Sequence, residues 1–144
     1  MKRILQIVTG LGTGDGKAEV VCRLSRELAR RGWAVTIATV DEGARDVPGV
    51  RIARFRPGWP RIVYFSGGMA RGLRALVREA DVVQVHGSWT SPVWWGCRCA
   101  AAEKKRLVVT PHGSFDPVRL AYSGWKKRIV GWLDRRSLRL ADVV

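Results

Sequence analysis

The sequence predicts an α/β protein, a doubly wound parallel sheet with helices on its faces, and three observations carry that prediction. Short β-branched apolar runs alternate with longer stretches of helical periodicity. The first such run opens into a glycine-rich turn, Thr9-Gly10-Leu11-Gly12-Thr13-Gly14-Asp15-Gly16. The tripeptide His-Gly-Ser occurs twice, at His86-Gly87-Ser88 behind Val82-Val83-Gln84-Val85, and at His112-Gly113-Ser114 behind Leu107-Val108-Val109-Thr110-Pro111. Trp89 to Lys105, between the copies, has the length of a crossover helix, which makes a β-α-β unit with parallel strands and a right-handed connection. Both histidines then leave at the carboxyl edge of the sheet, where open α/β folds bind ligands.

Taken in order, Ile4–Val8 is the first strand, and a helix follows from about Lys17 to Arg31. Val21, Leu24 and Leu28 recur at helical spacing with Arg23, Arg26 and Arg30 on the other side, and Gly32 is the expected stop. Ala34–Val40 is the second strand and Asp41–Gly49 a loop. Val50–Phe55 alternates apolar residues with Arg51 and Arg54, as an edge strand does. Arg56-Pro57-Gly58-Trp59-Pro60 breaks the pattern, and Met69, Leu73, Leu76 and Val77 then mark a helix. After Asp116-Pro117 comes a basic helical stretch to about Leu140, with an interruption expected at Ser123-Gly124. Ala141-Asp142-Val143-Val144 repeats the pattern of Ala80-Asp81-Val82-Val83, so a further strand is expected to begin there.

The bulk numbers narrow the class. A chain of 144 residues is one domain's worth, and its 47% apolar fraction excludes a disordered tail. Lysine and arginine outnumber acids 26 to 12, a net charge of +14. Two readings stand: solvated helix faces in an arginine-rich composition, or attraction to an anionic partner such as a phosphate-rich ligand or membrane. Cys22, Cys97 and Cys99 form no disulfide framework, and a reduced cytosolic compartment is expected. No apolar run approaches the roughly 20 residues that span a bilayer.

The glycine turn is a physical anion site, because backbone N–H groups converge at a helix N-terminus; the simpler reading is a flexible turn capped by Asp15 or Gly16. Its spacing fits neither the dinucleotide fingerprint nor the P-loop. The histidines are either satisfied structural groups or a pair whose following glycines let a ligand approach the backbone. Ser88 and Ser114 lack a nucleophile elbow, no carboxylate pair is placed for glycoside hydrolysis, and no metal-ligand spacing occurs. Trp89, Trp94 and Trp95 serve either helix-to-sheet packing or stacking on a sugar face. The segment holding Trp125, Lys126, Lys127, Arg128, Trp132, Arg135 and Arg136 is a surface helix or a rest for anionic lipid headgroups.

Several of these segments resemble one family. Ile4-Leu5-Gln6-Ile7-Val8, the glycine loop, and Ala18-Glu19-Val20-Val21 leading through Leu28 to Thr36 resemble the opening of the retaining, family-four type of GT-B-fold glycosyltransferases. Asp81 through Trp89 is similar to their "aDvvhvHGlw" segment, and Thr110 through Pro117 to their "tpHGml-p" segment, followed by a Ser-x-x-Lys-Lys pattern at Ser123, Lys126 and Lys127.

The resemblance implies a Rossmann-like acceptor-side domain over residues 1–144, the N-terminal half of a GT-B architecture, truncated before the C-terminal domain whose paired glutamates grip the nucleotide. The implied reaction moves a sugar from a nucleotide-activated donor to a polysaccharide or lipid-linked acceptor, and the fragment alone is expected to be inactive. Gly14 and Gly16 would approach the donor phosphate, although the loop reads Gly-Asp-Gly-Lys where the family more usually has Gly-Gly. His112 would contact the donor sugar near the reacting centre; His86, Gly87, Gly113, Ser114, Lys126 and Lys127 would line the cleft. No cofactor and no metal are implied, since the nucleotide-sugar is substrate, and no specific nucleic acid is expected. The expected location is cytoplasmic, peripheral at the inner face of the plasma membrane. Two competitors remain from the residues alone: a non-catalytic basic module for membrane or nucleic acid, and a nucleotide-cofactor oxidoreductase domain.

Overall fold

The computed structural model describes residues 1–113, 116–121 and 124–144, without the side chains of 119, 120, 126, 127 and 129. Its centre is a parallel sheet of five strands: β1 (Arg3–Val8), β2 (Ala34–Thr39), β3 (Val50–Arg54), β4 (Val82–His86) and β5 (Arg106–Thr110), in the order β3-β2-β1-β4-β5. The helices are α1 (Gly16–Arg30), α2 (Gly67–Glu79), α3 (Ser91–Ala102), α4 (Pro117–Ala121) and α5 (Gly124–Leu138). The doubly wound α/β prediction therefore holds. The strand order reverses its direction of growth between β1 and β4, and a crevice at the carboxyl ends of those two strands is where such sheets bind ligands.

Local chemistry sets the helix ends. Asp15 caps α1, its carboxylate accepting from the Lys17 amide at 2.9 Å. At the other end Gly32 sits at φ +84° while Trp33 N–H donates to the Leu28 carbonyl and Gly32 N–H to that of Ala29. That is a Schellman close, and glycine supplies the left-handed residue it needs. The crossover helix starts at Ser91 rather than Trp89, because Trp89 lies at φ +65° and Thr90 is extended.

The sheet's alternation sorts its side chains onto two faces. Leu5, Ile7, Ala38, Val83, Val85, Leu107 and Val109 pack with Met69, Leu73 and Val77 of α2 and with Val93, Cys97 and Ala100 of α3. Val8 and Ile37, with the loop residue Leu11, pack with Ala18, Val21 and Cys22 of α1 on the opposite face. Gln6 is in register with both Ile37 and Gln84, so it lies on the α1 face, and His86, two residues beyond Gln84, shares that face. Gly96 of α3 passes so close to the sheet that a Cβ there would stand 2.8 Å from Ile7 Cδ1 and 3.1 Å from Val85 Cγ2.

One strand-start device recurs. Asp81 N–H donates to the Arg3 carbonyl and its carboxylate accepts from Arg3 N–H at 2.8 Å; Asp142 does the same with Leu107, its carboxylate accepting at 2.7 Å. The likeness of Ala141–Val144 to Ala80–Val83 has this physical content, and Val143 forms a parallel bridge to Val108 beside β5.

Candidate functional site

The two histidines come together where β4 and β5 end. His86 is the last residue of β4, in register with Thr110, the last of β5. His112 stands two residues beyond that edge at φ +52°, followed by Gly113 at φ +72°, so the chain turns back on itself. His86 Nδ1 and His112 Nε2 are 2.9 Å apart, with ring centroids at 5.2 Å and planes tilted by 30°. On its other side His86 Nε2 is hydrogen-bonded to Gln6 Oε1 of β1. Three neighbouring segments of the sheet edge thus contribute one side chain each to a chain of polar contacts.

The glycine turn borders the same place. Lys17, in the first turn of α1, donates from Nζ to Thr9 Oγ1 at 3.0 Å, and a Cβ on Gly87 would lie 3.4 Å from that ammonium. Gly87 itself is at φ +97°. Only glycine accepts that conformation at low cost.

Burial and charge keep both imidazoles neutral. His86 is 1% exposed, and burial, then the His112 ring and the Lys17 charge, push its pKa down to about 3. His112 is half-buried; burial and the Lys17 charge lower its pKa too, while Asp15 opposes them. A neutral imidazole has one donor and one acceptor nitrogen. The Gln6 carbonyl oxygen can only accept, and the two ring-to-ring nitrogens can share one proton only if one of them donates and the other accepts.

The loop behind His86 is fixed from a distance in sequence. Asp134 of α5, 2% exposed, accepts from the Trp89 amide at 3.0 and 3.1 Å and from Trp94 Nε1 at 2.6 Å. Burial raises its pKa against the hydrogen bonds from Trp94, the Trp89 backbone and Ser88. Trp94 is therefore held by a polar tip as well as by packing, and Trp95 packs edge-on to Phe65 at 5.3 Å.

Among the residues singled out from sequence, His86, Gly87, His112 and Gly113 gather at one edge of the sheet, with Gly14 and the helix start at Gly16 in the adjoining turn. His86, expected to line the cleft, is the last residue of β4 and is buried there, with His112 against its Nδ1. Ser114, Ser123 and the side chains of Lys126 and Lys127 lie outside the described residues. Among those described, no three His, Cys, Asp or Glu side chains group as metal ligands would. Gln6, Lys17 and Asp134 were missed. Gln6 was legible as a polar residue inside an otherwise apolar strand, and Asp134 as a lone acid in a basic helix; Lys17 gave no signal beyond its place after the glycines.

Comparison with known proteins places this geometry. A family model described as Glycosyltransferase Family 4 matches residues 14–144. No curated protein matches. The HepE protein of Anabaena, solved in complex with UDP and glucose, is similar with a TM-score of 0.63 at 12% identity, over 94% of this chain and 36% of that one. Sucrose-phosphate synthase from Thermosynechococcus elongatus is similar with a TM-score of 0.64 at 17% identity, over 99% of this chain and 42% of its own. DNA processing protein A from Helicobacter pylori, whose single-stranded DNA binding was studied, shares the fold with a TM-score of 0.55 at 16% identity, over 97% and 74%. At such identities likeness speaks for fold alone, and this chain spans well under half the length of the first two proteins. The family match extends over nearly the whole sequence, and on it this chain, with its paired His-Gly segments behind β4 and β5, belongs to glycosyltransferase family 4.

Proposed function

We propose that residues 1–144 are the acceptor-side Rossmann-like domain of a retaining GT-B glycosyltransferase that moves a sugar from a nucleotide-activated donor to a polysaccharide or lipid-linked acceptor. The observation that carries this reading is the meeting of His112, Gly113, Gly87 and the Lys17 ammonium beside the glycine turn, at the carboxyl edge between β1 and β5. In the reaction the acceptor hydroxyl replaces the nucleoside diphosphate at the anomeric carbon, and negative charge builds on the departing phosphate. Gly14 and Gly16 offer amides in the turn, and Lys17 adds a full positive charge where the loop departs from the family's usual pair of glycines. Asp15 already occupies the Lys17 amide, so that amide is not available to the phosphate. His112 orients the donor sugar by a hydrogen bond to a hydroxyl.

The reading needs no resident cofactor or metal, since the donor is substrate. A C-terminal Rossmann domain would grip the nucleotide, and the 144 residues by themselves would turn over no sugar donor. Ser114, Lys126 and Lys127 would complete the cleft. We place the protein in the cytoplasm, peripheral at the inner face of the plasma membrane. The support is α5 with α4: Trp125 is 65% and Trp132 55% exposed, beside exposed Val118, Arg128, Arg135 and Arg136. Apolar rings among arginines suit an anionic headgroup layer. No described helix is long and apolar enough to cross a membrane.

Titration of the isotope-labelled chain with UDP and with UDP-glucose tests the site. Expected are weak, saturable shifts of the Gly14, Gly16 and Gly113 amides with both ligands, and a glucose-dependent part that His112→Ala removes. Shifts confined to other surfaces would refute the site, and turnover by the isolated chain that His112→Ala abolishes would refute the need for a second domain. Salt-sensitive sedimentation with anionic but not neutral vesicles, lost in a Trp125→Ser/Trp132→Ser variant, is the result expected for the membrane face.

A further inference from the structure

We propose that Gln6 and His86 are positioning residues that set the tautomer of His112, so that His112 presents Nδ1 to the cleft as a hydrogen-bond acceptor. This rests on the reading of His112 as a sugar-orienting group, but its test does not.

The argument is one of donors and acceptors along three contacts. Gln6 Oε1 can only accept, which puts a proton on His86 Nε2. A neutral His86 then has a lone pair at Nδ1, and the 2.9 Å contact to His112 Nε2 is satisfied only if that nitrogen carries the proton. Nδ1 of His112 is left as its lone pair, and it has no hydrogen-bond partner among the described residues. An acceptor at that place takes the proton of a sugar hydroxyl; a donor there would instead face the oxygen's lone pairs and hold the sugar in a different rotation. The other nitrogen of each ring is thus the determinant of what the ring offers, as for histidines generally.

The surroundings support a neutral pair. His86 is enclosed and faces the His112 ring and the Lys17 ammonium, with Gln6 on β1 bringing no charge; His112 faces the same ammonium and the Asp15 carboxylate. Protonating His86 at Nδ1 would set two N–H groups against each other across the contact. Gln6 Nε2 is buried and has no hydrogen-bond partner among the described residues, so the contact with His86 is the one polar tie of this amide among them. A strand position that buries a glutamine at 0% exposure, with half its amide unpaired, is costly for a packing role alone.

The chain has two histidines, so each ring can be assigned with one variant. Two-bond proton–nitrogen correlation spectra of the 144-residue chain at pH 8 report tautomers directly. The expected result is Nε2–H on both rings in the wild type. Gln6→Met removes the acceptor at nearly constant volume and should give mixed tautomers on both rings. Gln6→Glu, which can only accept when ionised, should restore Nε2–H and move His86 protonation to higher pH. Nδ1–H on His112 in the wild type overturns the proposal, as do tautomers that Gln6→Met leaves unchanged in a folded chain. Should Gln6→Met fail to fold, the wild-type spectrum and Gln6→Glu decide. Loss of UDP-glucose binding with these tautomers in place would refute the sugar site and leave the relay standing.

Discussion

The two His-Gly-Ser segments are identical as sequence and opposite as structure. His86 lies inside β4 with Thr110 of β5 opposite it, whereas His112 comes two residues after Thr110, past Pro111 and in the left-handed region. That offset of two residues buries the first imidazole between β1 and the second segment and leaves the second half-exposed at the edge. Asp134 anchors the first segment through Trp89, and among the described residues none of its contacts reach the second. Identical residues therefore divide the work. One ring is scaffold and the other meets the solvent, and register, not residue type, assigns the roles.

The largest expected effect breaks the anchoring that only the first segment has. Asp134→Ala strips partners from a part-buried backbone amide and the part-buried Trp94 indole, and should cost about 2–3 kcal/mol in denaturant unfolding, at roughly 1–3 kcal/mol for each enclosed group left unsatisfied. An equal loss from a variant of exposed Asp116 would erase the distinction.

Next comes pH. His86 binds a proton in the unfolded chain near 6.5 but in the folded one only near 3, so the unfolded state takes up the proton first as pH falls. Its contribution to stability is whole above pH 6.5 and shrinks by about 1.4 kcal/mol for each unit below it, until about pH 3. At pH 5 the loss should be about 2 kcal/mol, visible in urea midpoints. A His86→Leu chain should show a flatter profile, and one as steep as the wild type would show that another group carries the effect.

Replacing each ring separately sharpens the contrast. His86→Leu leaves the Gln6 amide buried without a partner and should destabilise by about 2 kcal/mol. His112→Leu at its half-exposed position should cost about 0.5 kcal/mol or less while removing the glucose-dependent part of UDP-glucose binding. Equal costs would contradict the division of roles.

The smallest effect separates the glycines. Gly87→Ala meets a positive φ with the tip of the Lys17 side chain in ordinary contact, and should cost about 1–2 kcal/mol; Gly113→Ala meets positive φ with open space around it, and should cost about 1 kcal/mol. Thermal melts of the two variants rank them.

Much of the fold was legible because the pattern is local. Apolar runs such as Val82–Val85, the Asp15 cap and the Gly32 stop are set by neighbours within a turn or two, and a crossover of that length between parallel strands leaves little choice of hand. Even the edge position of β3 followed from its alternating arginines. What was not legible is long in sequence: Gln6 lies 80 residues from His86, and Asp134 lies 45 from Trp89. Glutamine in a strand or aspartate in a helix has no local signature that names its partner.

By itself, then, the sequence determined the alternation of strands and helices, the glycine turn, and the presence of two histidines at the carboxyl edge of a parallel sheet. Only the tertiary structure decided which histidine is enclosed, which nitrogen each ring presents, and that Lys17 reaches across to Gly87. The reason is physical: periodicity and caps are fixed by contacts a few residues apart, while burial and proton placement depend on what the neighbouring strand brings alongside.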